Sequence, residues 1–214
     1  MLAGVVAISV SSSLPSKFGE TKSPYGSCKT FQSYTPVHFF DLNRFTHPRI
    51  WYVREIYYLS NEANVSSQSL ACYSISMVES WAPSVVNLFW RYQVHSLGQR
   101  FEDVMNYTIK SDLFPLESVW AEVVSKDPIV LKEPYTPMIW VQTDYDNWAI
   151  AYDCRSFGTS DDEGYSLESM VLYTKDPYYN DNKTLDILSI LIANYGFSAQ
   201  NMRVVNHTNC NPPY

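Results

Sequence analysis

Charge is scarce in this chain. Of 214 residues only 17% are charged, against about 25% in an average globular protein. With 15% aromatics beside it, that scarcity excludes a disordered chain, which is rich in charge and poor in aromatics. Basic residues are also short, 15 against 22 acidic, for a net charge of −7. The basic footprint of a nucleic-acid binder is missing, so no nucleic-acid partner is expected. No apolar run approaches the ~18 residues of a spanning helix, so no transmembrane segment is expected. The four cysteines (Cys28, Cys72, Cys154, Cys210) form no CxxC, and the four histidines (His38, His47, His95, His207) show no ligand spacing. There is no HExxH, GxSxG, P-loop or GxGxxG. Hence neither a metal site nor a catalytic residue is expected. Asp161, Asp162 and Glu163, between Gly158 and Gly164, read as a solvated loop. Asp144 and Asp146 read as turn formers that bond to backbone.

What is present is apolar bulk. The 46% apolar content over 214 residues can bury a sizeable core. Tyr, with 17 copies, outnumbers Phe and Trp and favours half-buried strands. An even number of widely separated cysteines suits two long-range disulfides in an oxidising compartment, and spacing alone allows three pairings. Sequons at Asn64, Asn106, Asn182 and Asn206 point the same way, to a secreted, extracellular glycoprotein. Residues 2–10 (LAGVVAISV), followed by three serines, resemble the apolar core and cleavage zone of a signal peptide, although the first Lys is Lys17. Residues 1–20 are therefore read as a signal-peptide remnant and flexible arm, and 21–214 as one domain.

Along the chain, 11–36 reads as an extended arm rich in Ser, Pro, Lys and Gly. Strand-like runs follow at 50–58, 70–78, 85–94, 107–110, 118–124, 138–142, 148–154 and 165–174. In 70–78 (LACYSISMV) the alternation has period two. Eight antiparallel strands imply a closed barrel or a sandwich. Residues 183–195 break the pattern. Leu185, Leu188, Ile192 and Tyr195, widened by Ile187 and Leu191, form a helical stripe, with Asn182 as cap and Gly196 beyond the end. A short strand at 202–206 and a tail with Cys210 complete the chain.

The run TDYDNWAIAYDC at 143–154 resembles the T-D-Y-x-N-Y-A-x-x-Y-x-C signature of the lipocalins, nearest the apolipoprotein D and bilin-binding branch. FDLNRFTHPRIWYVREI at 40–56 resembles the family's opening Phe-Asp and Gly-x-Trp-Tyr motif, with Arg49 in place of Gly and with Trp51 and Tyr52 kept. VLYTKDP at 171–177 resembles the third motif, with Lys175 as the nearest cation where the family has Arg. The resemblance implies an all-β, eight-stranded antiparallel up-and-down barrel with one C-terminal helix packed outside. It implies Trp51 as the plug of the closed end with Lys175 over its ring, an arrangement worth about 0.5–2 kcal/mol. It also implies disulfides Cys28–Cys154 and Cys72–Cys210.

Strands of a barrel alternate inward and outward residues. If Cys72 points out toward the tail, Tyr73, Ile75 and Met77 point in, and Ser74 and Ser76 face water. If Trp51 points in, so do Val53 and Glu55. By resemblance Met138 and Trp140 line another wall, with Leu167, Ser169 and Val171 on the last strand. Loops at 61–69 and 94–103 would rim the open end. Such a lining suits a small hydrophobic partner: a bilin, carotenoid, retinoid, fatty acid or other lipid. No cofactor is obligatory, and the chain is read as a carrier and not an enzyme. Exposed aromatics leave a homo-oligomer open. Two rivals are an immunoglobulin-like adhesion module, which would need Cys72 bonded to Cys154, and a lipocalin-fold isomerase acting on a bound lipid.

Overall fold

The computed structural model describes residues 34–47, 49–59, 70–79, 85–94, 99–109, 117–122, 137–157 and 165–210. Cys28, Asn64, the acidic residues 161–163, the rim loop 61–69 and the whole of 1–20 lie outside them.

Eight strands follow one another: β1 (Ile50–Tyr58), β2 (Leu70–Glu79), β3 (Val85–Val94), β4 (Gln99–Thr108), β5 (Val119–Glu122), β6 (Pro137–Thr143), β7 (Trp148–Phe157) and β8 (Tyr165–Thr174). Each pairs antiparallel with the next, and β1 pairs with both β2 and β8, which closes the ladder into an up-and-down barrel. The closed ring is the architecture expected from the sequence, and it excludes the sandwich. Strand β4 is ten residues long, not the short run at 107–110, and it pairs with β3 without a break from Val85↔Thr108 to Val94↔Gln99. The expected rim loop 94–103 is therefore mostly strand. The apolar pattern could not show this, because Gln99-Arg100-Phe101-Glu102-Asp103 has little alternation and the side-chain pairs that support it, Arg91 with Glu102 and Tyr92 with Phe101, form only across to β3.

The seam between β1 and β2 is short, with only Ile50, Trp51 and Tyr52 opposite Ser76, Ile75 and Ser74. Beyond it a ninth strand, β9 (Met202–Val204), lies against β1 through Glu55↔Val204, Ile56↔Arg203 and Tyr57↔Met202. The backbone continues across the gap. Val205 N donates to Arg54 O at 2.9 Å, and Cys72 N donates to Asn206 O at 2.9 Å. The end of the chain thus wedges β1 and β2 together where their own pairing stops.

Helix α2 (Asn182–Asn194) lies outside the barrel. Its cap is Asp181 and not Asn182: the Asp181 carboxylate accepts from Thr184 N at 3.3 Å and from Thr184 Oγ1 at 2.6 Å. Hydrogen bonding by Thr184 holds the Asp181 carboxyl below its ordinary value. Gly196, at φ +91°, occupies the left-handed position that ends the helix. Leu188 and Ile192 are buried against Tyr57, Tyr152, Met170 and Leu172 on the outer wall. Ile187 is instead 57% exposed, because it sits one helical position around from Leu188 and off the packed stripe.

Candidate ligand-binding site

The closed end is built from three short pieces of sequence. The first is α1 (Leu42–Phe45), a four-residue helix within the expected Phe-Asp motif, capped by Asp41, whose carboxylate accepts from Arg44 N at 3.0 Å. The second is the β6–β7 hairpin. Asp144 Oδ1 accepts from the backbone N–H of Asp146, Asn147 and Trp148 at 2.8–3.0 Å. Thr143 Oγ1 accepts from Tyr145 N at 2.8 Å and donates to Trp148 O at 2.8 Å. Tyr145 sits at φ 67°, a left-handed position that these bonds stabilise. Asp144 is the turn former expected. Asp146 is not: its carboxylate pairs with Arg44 of α1, whose guanidinium lies 5.1 Å from the Tyr145 ring centroid. Tyr145 Oη also accepts from Asp41 N at 3.1 Å. The long T-D-Y-D-N run is thus a tight hairpin that clasps the helix below the barrel.

The third piece is the start of β1. Trp51, fully buried, donates from Nε1 to Phe45 O at 3.1 Å and stacks on the Phe45 ring at 4.8 Å. Lys175 Nζ lies 4.7 Å from the Trp51 ring centroid and donates to His47 O at 2.8 Å. Partial burial lowers the Lys175 pKa, against the opposing pull of Asp146 and Asp144. Phe45 also meets Trp140 at 4.5 Å, and Trp140 meets Trp120 and Tyr173, each at 5.3 Å. This aromatic stack closes the base. Arg49, where the family has Gly, takes no positive φ, so its backbone is unstrained there.

Above the base the inner wall is apolar. Val53, Ile75, Met77, Met138, Trp140 and Val171 all belong to one buried cluster with Trp51. Tyr73 is half-buried against it, 5.6 Å from both Trp90 and Tyr92. Leu167 is half-buried, and the unbroken β7–β8 register places it on the face of Val171 and Tyr173. Within this wall Trp140 Nε1 has no hydrogen-bond partner.

Strand alternation does not set the environment of every side chain. Glu55 does not share the face of Val53. A register shift between them turns Ile56 inward, and Glu55 accepts from Tyr57 Oη at 2.6 Å on the outer wall. Burial, then the Glu55 carboxylate, raises the Tyr57 pKa. Ser74 and Ser76 do lie on the outer wall, but they are buried rather than facing water; Arg91 Nη1 donates to Ser76 Oγ at 2.9 Å.

Sequence reasoning also left out much of the lining. Leu88 and Trp90 of β3, Tyr107 of β4, Trp120 of β5 and Tyr173 of β8 are all in the inner cluster. The alternation Val86-Leu88-Trp90 against Asn87-Phe89-Arg91 was the available signal.

Cys72 and Cys210 form a disulfide, 138 residues apart, which excludes the Cys72–Cys154 bond of an immunoglobulin-like domain. Cys154 is also disulfide-bonded; Cys28, the remaining cysteine of the sequence, lies outside the described residues. Asn106, Asn182 and Asn206 are exposed. His207 is buried and donates from Nε2 to Val53 O at 2.8 Å, and burial lowers its pKa. No helix among the described residues is long and apolar enough to cross a membrane.

No family model matches this chain, and no curated protein matches it. Solved structures do. The siderocalin Ex-FABP is 11% identical with a TM-score of 0.55, covering 75% of this chain and 94% of its own. The cockroach allergen Per a 4 is 14% identical with a TM-score of 0.56, covering 82% of this chain and 94% of its own. Lobster apocrustacyanin A1 is 12% identical with a TM-score of 0.52, covering 84% of this chain and 93% of its own. These neighbours are lipocalins, and at this level of identity the likeness speaks for architecture: the chain has the lipocalin fold.

Proposed function

We propose that this chain is a secreted, glycosylated lipocalin of the apolipoprotein D and bilin-binding kind. It holds one small hydrophobic molecule in the barrel and carries it; it is not an enzyme. The observation that carries this reading is the apolar inner wall, from Trp51 through Ile75, Met77 and Val171 to Tyr73, set above an aromatic base. A guest that leaves water for such a wall gains about 25 cal/mol per Å² of apolar surface removed. The siderocalin neighbour functions through dual ligand specificities, which supports a binding role for the shared fold. A bilin, carotenoid, retinoid or fatty acid has the right chemistry, and the buried, unpartnered Trp140 Nε1 favours a guest with an acceptor at its deep end.

Native mass spectrometry of protein from its natural source, joined to an absorption spectrum, tests the reading. One apolar molecule per chain, released on denaturation, is expected. A ligand-free mass, together with no uptake of retinol or a long-chain fatty acid by the purified protein, overturns it.

A further inference from the structure

We propose that the end of the chain, residues 202–210, is a side gate of the barrel that acid opens, with His207 as its pin. The proposal rests on the reading of the barrel as a carrier and adds how the guest is let go. Beyond Tyr52↔Ser74 no backbone pair joins β1 to β2 among the described residues. The strap fills the space between them: Val205 N donates to Arg54 O of β1, and Cys72 N of β2 donates to Asn206 O. Val205 is 6% exposed and belongs to the inner cluster with Trp51, Val53 and Ile75. It is therefore a piece of the inner wall carried on the tail and not on a strand of the ring. Lifting the strap would open the wall sideways, into the apolar lining.

His207 fastens the strap. Its ring is buried, its Nε2 donates to Val53 O at 2.8 Å, and Tyr52 meets it edge-on at 5.6 Å. A carbonyl only accepts, so Nε2 carries the proton and Nδ1 is the bare nitrogen of a neutral ring. Nδ1 is buried too and has no hydrogen-bond partner. A second proton must go there, where it makes a buried N–H with no acceptor on a ring that has become a cation. Leaving the wall for water relieves both penalties at the loss of one bond to Val53 O.

The charged and titratable groups around the ring do not offset this. Strand β1 supplies Tyr52 and Arg54, and the Arg54 charge acts on the ring in the same direction as burial. The segment after β8 supplies Asp176 and Tyr178; Asp176 Oδ1 accepts from Tyr178 N at 2.8 Å, and Tyr178 Oη donates to His207 O at 3.1 Å. Strands β3 and β4 bring Arg91, Arg100 and Glu102 to the groove beside His207, with Glu102 held by Arg91. Burial, opposed by the Val53 carbonyl and aided by Arg54, keeps the His207 pKa below its ordinary 6.5. A freed ring returns toward that value, so opening gains as pH falls below it. The Cys72–Cys210 disulfide tethers the far end, so an opened strap stays attached and closes again when the proton leaves.

Two measurements, each made at about pH 7.4 and about pH 5, test the gate. Amide exchange reads it without a guest. In acid, protection of the Val205 and Cys72 amides should fall about tenfold in the wild type, while the β7–β8 ladder keeps its protection. His207→Gln keeps a donor for Val53 O but takes no proton, so its protection should change by less than about twofold. Release of retinol, which has no charge to titrate in this range, reads the gate with a guest. It should be about tenfold faster in acid for the wild type and nearly unchanged for His207→Gln. No loss of protection in the wild type, equal loss in both proteins, or retinol release that does not follow the opening overturns the proposal. Absence of retinol binding at neutral pH counts against the carrier reading alone, and the exchange measurement then decides the strap.

Discussion

Lys175 Nζ sits 4.7 Å from the centre of the Trp51 ring while donating to the carbonyl of His47. One side chain therefore joins the end of β8 to the plug and to the turn that follows α1. Lys175→Ala removes both contacts and should cost about 1–2 kcal/mol. That corresponds to a fall in Tm of about 2–8 °C for a domain of this size. Lys175→Arg should recover most of the loss in a thermal scan, and an unchanged Tm in the alanine variant would show that the contact is idle.

The two aspartates of the β6–β7 turn should behave differently. Asp144 accepts from three backbone N–H groups, so Asp144→Ala strands donors at the hairpin and should cost about 1.5–3 kcal/mol in urea unfolding. Asp146 and Arg44 form an exposed pair, so Asp146→Ala should cost less than about 1 kcal/mol.

Reducing or removing the Cys72–Cys210 bond should free the end of the chain. Cys210→Ser is expected to cost about 2–5 kcal/mol. Hydrogen exchange should then quicken first at the amides of Val205 and Cys72, which cross the β1–β2 gap. Uniform protection in the variant would mean that the wedge holds without its brace.

Acid should loosen the same region. The His207 pKa is lowered from 6.5 in the folded protein by burial. The unfolded chain then binds more protons than the folded one as pH drops from 6.5 toward the folded value, so stability falls across that window. Between about pH 7.5 and pH 5, urea midpoints should fall further for the wild type than for His207→Gln. Equal falls would assign the acid sensitivity to other groups.

At the barrel mouth, Tyr73→Glu places a charge against Trp90 and Tyr92. Retinol or fatty-acid affinity should drop by at least about tenfold while the circular dichroism spectrum is kept. Full affinity in that variant would place the guest elsewhere.

The strands were legible where bulky β-forming residues cluster, and at 70–78 where they also alternate. Ile50–Tyr58, Val85–Val94 and Tyr165–Thr174 form over the residues that the pattern marks. Leu42–Phe45 was not, because four residues carry no period and the helix is held by Arg44, Phe45 and Tyr145 across the chain. Glu55 was misplaced because a bulge is a property of two strands together, and one strand's sequence does not display it. The lining was read from β1, β2, β6 and β8 alone, so the aromatic contribution of Trp90, Tyr107 and Trp120 emerged only with the pairing.

The wedge of β9 between the first two strands has a consequence for synthesis. Residues made early cannot be fully fastened until residues beyond 204 have left the ribosome. Until then the upper edges of β1 and β2 keep unpaired backbone groups, an open template for other chains. Closure of this seam therefore waits on residues 202–206, and the partly made chain has most need of a chaperone until they are free to pair.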